Sequence, residues 1–117
     1  LNNFIKDYGE SEYKTAEWIK KNTQKDEKIM SFTSDIVYFL SNRFPKNKYM
    51  DSQLSILLNT NSADVYIKNP PRIFVIDQTT VDTFPDLKKW RFFNYLKDNY
   101  SLKEQFEALK IYQLNTK

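Results

Sequence analysis

Tyr13, Ala16 and Ile19 recur at helical spacing, with Trp18 on the flank of the same stripe. Glu10 and Glu12 come early in this stretch and Lys20 and Lys21 late, the charge order that suits a helix dipole. The pattern predicts an amphipathic helix over residues 9–22, ended by Asn22 and Thr23. "KIMSF" is short and apolar and reads as a strand, and "DIVYFLSN" follows as a second helix with Ser34 as its cap. "NKYMD" is a weaker strand candidate after Pro45, and "SQLSILLNTN" reads as a short helix or a partly helical loop. "SADVYIKN" reads as a further helix that Pro70 must end, because the residue before proline avoids helical dihedrals.

"RIFVID" has the unbroken apolar run of a strand covered on both faces. From Thr83 to Tyr100 the residues Leu87, Trp90, Phe93, Leu96 and Tyr100 step by three or four, which predicts one long helix. Thr83 with Asp86 resembles a capping box at its start. "SLKEQF" and "KIYQL" alternate, with Leu102 and Phe106 on one face and Tyr112 and Leu114 on another, the pattern of an antiparallel hairpin. Strands separated by helices imply parallel pairing. The expected architecture is a single α/β domain over residues 1–117: an open, mainly parallel sheet flanked by helices. "KIMSF" and "RIFVID" are its central strands, and the C-terminal hairpin lies at the edge.

Composition narrows the chemistry. Hydrophobic residues make up 40% and aromatics 16% of 117 residues, enough for one core rich in large rings. The net charge of +3 is small and its signs interleave, as in "KKNTQKDEK", so no nucleic-acid partner is expected. With no Cys and no His, disulfides, a zinc-finger site, a Cys nucleophile and any imidazole base are excluded. No cofactor and no metal site is expected, because the chain has no spaced Asp cluster and its only glycine, Gly9, follows no strand. No segment approaches the ~20 apolar residues that span a bilayer.

Ligands of open α/β sheets gather beyond the carboxyl ends of the strands. That rule points to Thr33, Ser34 and Asp35, to Asp51, and to Asp77 and Gln78. Asp77 holds the place of a phospho-accepting aspartate, but the first strand runs into "FTSD" without the acidic pair that would hold magnesium. Asp77 is therefore expected to be a strand-end cap and Asp35 a helix N-terminal carboxylate. Arg43 and Tyr49, flanking "RFPKNKYM", are read either as a surface Arg beside a packed Tyr or as ligand contacts. Lys88, Lys89 and Arg91 form the solvated side of the long helix or face anionic lipid headgroups.

"SEYKTAEWIKKNTQKDEKIMSF" resembles the segment after the last membrane helix of bacterial and archaeal GT-C glycosyltransferases, the multi-spanning enzymes related to protein O-mannosyltransferases and aminoarabinose transferases. The resemblance continues through Tyr38 to Arg43, Pro45, Tyr49 to Asp51, Asn69 to Asp77, and Asn99-Tyr100 with Ile111-Tyr112. It implies a non-catalytic, soluble C-terminal domain on the extracytoplasmic side of the cell membrane. The parent it implies moves a sugar from a polyprenyl-phosphate donor to a protein, lipid or glycan acceptor. Its catalytic carboxylates lie in loops between membrane helices that this chain does not carry. The chain, which starts at Leu1 without a signal peptide, is then expected to be a fragment of a longer multi-spanning protein whose membrane domain is its partner. A lipid-linked sugar or the acceptor would touch Arg43, Tyr49 and Asp51, with Asp35 and Asp77 as further candidates. Arg suits a phosphate through paired N–H donors and Tyr stacks on a sugar face. The rival classes are a free-standing cytoplasmic α/β ligand-binding or interaction module and a small enzyme with a carboxylate-based site.

Overall fold

A computed structural model describes residues 9–32, 34–46 and 63–116. Helix α1 (Glu10–Asn22) opens the described chain. Gly9 precedes it at φ 92 and ψ 148, a conformation that only glycine adopts without strain, and a Cβ there would collide with the Glu12 carboxylate. Strand β1 (Met30–Phe32) follows, then α2 (Ile36–Ser41) and α3 (Ala63–Lys68). Strand β2 (Ile73–Asp77) runs directly into α4 (Gln78–Thr83), a 3-10 turn (Pro85–Lys89) and α5 (Arg91–Asn99). Strands β3 (Tyr100–Phe106) and β4 (Leu109–Leu114) close the chain as a hairpin. "NKYMD" and "SQLSILLNTN" lie outside the described residues.

The four described strands form one sheet in the order β1-β2-β4-β3. The fold is α/β, but the sheet is mixed. Only β1 and β2 are parallel; β2–β4 and β4–β3 are antiparallel. β3, reached from β2 through helices, does run in the direction of β2, but β4 folds back from it as a hairpin and inserts antiparallel between the two. Among the described residues β1 is an edge strand rather than a central one, and the hairpin places β4 inside the sheet with β3 outermost. The residues explain that choice. β4 has apolar side chains on both faces, Leu109 and Ile111 on one and Tyr112 and Leu114 on the other. β3 carries Lys103, Glu104 and Gln105, which suit an edge.

A bulge at Lys103 shifts the register, so Leu102 pairs with Tyr112 and Glu104 with Ile111. Leu102 and Phe106 therefore fall on opposite faces, against the expectation from simple alternation.

Two cores lie on the two faces of β2, as its unbroken apolar run requires. Phe74 and Ile76 point to one face, with Met30, Phe32, Tyr66, Leu87, Trp90, Phe92 and Tyr100. Ile73 and Val75 point to the other, with Ile19, Ile29, Val37, Tyr38, Leu109 and Ile111. The first core is aromatic. Phe32 stacks on Trp90 at 5.4 Å, Phe74 on Phe92 at 4.8 Å, and Tyr66 meets both Trp90 and Phe92 edge-on. Each such pair adds about 0.5–1.5 kcal/mol beyond area burial.

The predicted helix from Thr83 to Tyr100 is broken. Trp90 is extended (φ −64, ψ 125) between the 3-10 turn and α5. The tighter turn eclipses positions three apart, which brings Leu87 and Trp90 together on the core. The restart at Arg91 then buries Phe92, which the predicted stripe leaves out, alongside the expected Leu96, and leaves Phe93 half-buried against the same core.

Candidate functional site

Among the described residues the candidates fall at two ends of the sheet. In a parallel pair, Phe32 lies beside Ile76, so Asp35 and Asp77 both emerge at the carboxyl end of the sheet. Arg43 follows the far end of α2 and lies at the opposite, amino end. There, residues 44–46 run alongside the start of β1: the Ile29 N–H donates to the Phe44 carbonyl at 3.0 Å and the Lys46 N–H to the Ile29 carbonyl at 2.8 Å. Tyr49 and Asp51 lie outside the described residues.

At the carboxyl end the two carboxylates have local surroundings. Asp77 Oδ1 accepts the Thr79 N–H at 3.1 Å, an N-cap bond for α4. Asp35 occupies the N-cap position of α2 without a side-chain cap bond and is exposed. The cap expected from Ser34 is not formed; instead the Ser34 carbonyl accepts the Ser31 hydroxyl at 2.7 Å. Tyr38 Oη accepts the Ser31 N–H at 2.7 Å, completing a buried polar knot after β1 that the spacing of serines alone did not reveal. Helix α4 was also missed. Its Thr-rich sequence is a weak helix former, and the Asp77 cap, together with a Gln78–Asp82 bond at 2.9 Å, holds it.

At the amino end two arginines organise the molecule. Arg43 is 6% exposed, not a surface residue. One edge of its guanidinium faces Thr23: Nε donates to Oγ1 at 2.9 Å and Nη2 to the carbonyl at 3.4 Å. The other edge, Nη1, donates to the carbonyls of Ser41 at 3.1 Å and Asn42 at 3.2 Å. These carbonyls belong to the C-terminal ends of α1 and α2, where orphan acceptors and the negative dipole end favour a cation. Asn42 itself is left-handed (φ 54), which reverses the chain and brings Arg43 back over α2.

Arg72, just before β2, grips Glu27 through two bonds of 2.8 and 2.9 Å and donates to the Asn22 carbonyl at 2.6 Å. Its own carbonyl accepts the Leu114 N–H at 2.8 Å, so the side chain starts from a fixed strand. Thr23 Oγ1 donates to the Ile19 carbonyl at 2.6 Å, and Asn22 Nδ2 to the Trp18 carbonyl at 2.8 Å.

Two tyrosines on β3 and β4 have raised pKa values. Burial is the main cause at Tyr100, reinforced by Tyr95, and burial alone acts at Tyr112. The Tyr100 hydroxyl donates to the Pro71 carbonyl, closing the aromatic core beneath the start of β2. Both rings keep their protons at neutral pH and serve packing. Lys89 pairs with Asp86 and Arg91 with Asp64, which divides the expected basic trio among carboxylates and leaves Lys88 exposed. Among the described residues no group of three His, Cys, Asp or Glu is placed to hold a metal ion.

Comparison of the chain with family models, curated proteins and solved structures gave no match.

Proposed function

We propose that the chain is a non-catalytic, extracytoplasmic domain of a membrane glycosyltransferase that uses a polyprenyl-phosphate sugar, and that it acts there as a scaffold for the membrane domain. One observation supports this reading above the others. The sequence stretches that carry the resemblance converge on the C-terminal end of α1. "WIKKNT" supplies Asn22 and Thr23, "YFLSNR" supplies Arg43, and "NPPR" supplies Arg72. Their characteristic polar residues are engaged with one another, which is what a structural joint requires. In the family resembled, α1 follows the final membrane span, so this joint would fix the sheet relative to the membrane.

The burial of Arg43 favours the scaffold over a substrate contact. A guanidinium with four bonds to protein oxygens has little left for a phosphate. Asp35 and Asp77 remain candidates for contact with a lipid-linked sugar or an acceptor on the other end of the sheet, the end from which α1 starts.

The test is expression of the full-length polypeptide that contains this chain. It is expected to fractionate with membranes and to transfer labelled sugar from a polyprenyl-phosphate donor. The separated 117-residue chain is expected to transfer none. Recovery of the full-length polypeptide as a cytosolic protein without membrane spans would overturn the proposal and favour a free-standing α/β module.

A further inference from the structure

A cleft of about 740 Å³ opens at the amino end of the sheet. Its walls are the turn after α1, the segment around Pro70 that leads into β2, and the end of β4. The bidentate Arg72–Glu27 pair braces one wall, and both partners spend their charge on each other. Two more cations line the same cleft, Lys28 and Lys46. The chain segments that carry them are locked side by side by the backbone bonds that join Ile29 to Phe44 and Lys46. Among the described residues neither lysine has a carboxylate within ion-pair distance, although Asp26 lines the cleft too. Lys28 precedes and Lys46 follows the Ile29–Pro45 bridge, so the two ammonium groups enter the one cleft from adjacent segments. The rest of the lining is hydrogen-bonding side chain: Gln24, Gln113 and Asn115 offer amide donors and acceptors.

We propose that this cleft binds a small hydroxylated oxyanion, a sugar phosphate or a sugar acid. The oxyanion lies between Lys28 and Lys46, and the ligand's hydroxyl groups bond the amides of Gln24, Gln113 and Asn115. The site is distinct from the carboxyl-end surface of Asp35 and Asp77, and it does not depend on the glycosyltransferase reading, because it rests only on the placement of these side chains. Charge supplies the affinity and the amides supply the preference for a hydroxylated ligand over a bare anion.

Titration of the isotope-labelled 117-residue chain, followed by backbone amide shifts at constant ionic strength, tests it. The probes are glucose 6-phosphate, glucuronate, inorganic phosphate and glucose. Glucose 6-phosphate or glucuronate is expected to shift the amides of Lys28, Lys46, Gln113 and Asn115 with saturation, and the tighter of the two identifies the oxyanion. Inorganic phosphate is expected to bind at least tenfold more weakly than the better sugar anion. The Lys28→Gln/Lys46→Gln double variant is expected to raise Kd at least tenfold and to leave the amide spectrum away from the cleft unchanged. Should the double variant fail to fold, the two single variants, at solvent-accessible positions, are each expected to weaken binding several-fold. The proposal is overturned if glucose produces the same shifts at the same concentration, or if neither sugar anion shifts these amides. An unchanged Kd in the lysine variants overturns it equally.

Discussion

Replacing Arg43 by lysine separates a structural arginine from a ligand-binding one. Lysine keeps the charge and most of the apolar stem but replaces a planar fork by one compact ammonium. In the native joint the Nε/Nη2 edge serves Thr23 and Nη1 serves Ser41 and Asn42, on opposite sides of the guanidinium. One ammonium cannot occupy both sides, so at least two of the four bonds are lost. Hydrogen bonds to charged groups contribute about 1.5–3 kcal/mol each. Asn42 is exposed and Thr23 half-exposed, and water can replace part of their loss, whereas Ser41 is fully buried. The lower end of the range therefore applies, and Arg43→Lys is expected to cost about 2–4 kcal/mol. Against a typical total of about 5–15 kcal/mol this is a large fraction. Equilibrium urea unfolding, followed through Trp90 in the aromatic core, should give a lower midpoint with an unchanged m-value. A variant within about 0.5 kcal/mol of the native protein, the range of an ordinary surface substitution, would refute the capping argument. If the variant also showed a raised KM in the sugar-transfer assay that tests the proposed function, Arg43 would belong to substrate binding.

Three further outcomes follow from single residues. Thr15 Oγ1 is buried without a hydrogen-bond partner among the described residues, so Thr15→Val, which keeps the branched shape, should stabilise by about 1–2 kcal/mol; a lower urea midpoint would show that the hydroxyl is satisfied. Glu107 turns the hairpin at φ 54, and Glu107→Gly should stabilise by about 0.5 kcal/mol, the release of left-handed strain less the added chain entropy; a loss above about 1 kcal/mol would contradict that turn geometry. The raised pKa of Tyr100 means that the folded state holds its proton more tightly than the unfolded state does, so its contribution is complete below the ordinary value of 10.0 and is lost as pH rises above it. Tyr100→Phe should cost about 1 kcal/mol at neutral pH through the lost bond to Pro71 and should show a shallower stability decline above pH 10 than the native protein; parallel pH curves would contradict this.

The parts of the fold legible in the sequence are those where one local signal dominates. The charge order and periodicity of α1 predicted residues 9–22 against an observed Glu10–Asn22. The apolar run of β2 announced burial on both faces, and Pro70 stands where α3 stops short of β2. The break at Trp90 was hidden because Leu87, Trp90, Phe93 and Leu96 step by three across it, and only the tertiary fit of Trp90 against Phe32 distinguishes a 3-10 turn from a continuous helix. The bulge at Lys103 was hidden for a related reason, since alternation cannot reveal one extra residue. Of the candidate site, Asp77 was legible as a strand-end group. The burial of Arg43 was not, because its partner Thr23 lies 20 residues away and only packing of α1 against α2 brings them together.

The bulge on β3 also bears on how the molecule behaves in a crowd. An outermost strand with a regular row of free N–H and C=O groups invites a neighbour to add its own strand, and repeated addition is the route to fibres. The extra residue at Lys103 interrupts that row and increases the local twist. A second molecule that tried to dock along Ser101–Gln105 would find its bonds out of step and an ammonium at the centre of the contact. The irregularity shifts the internal β3–β4 register by one residue yet pairing resumes on both sides of it, while the outer row is left out of step, so among the described residues this edge of the sheet is built for solitude.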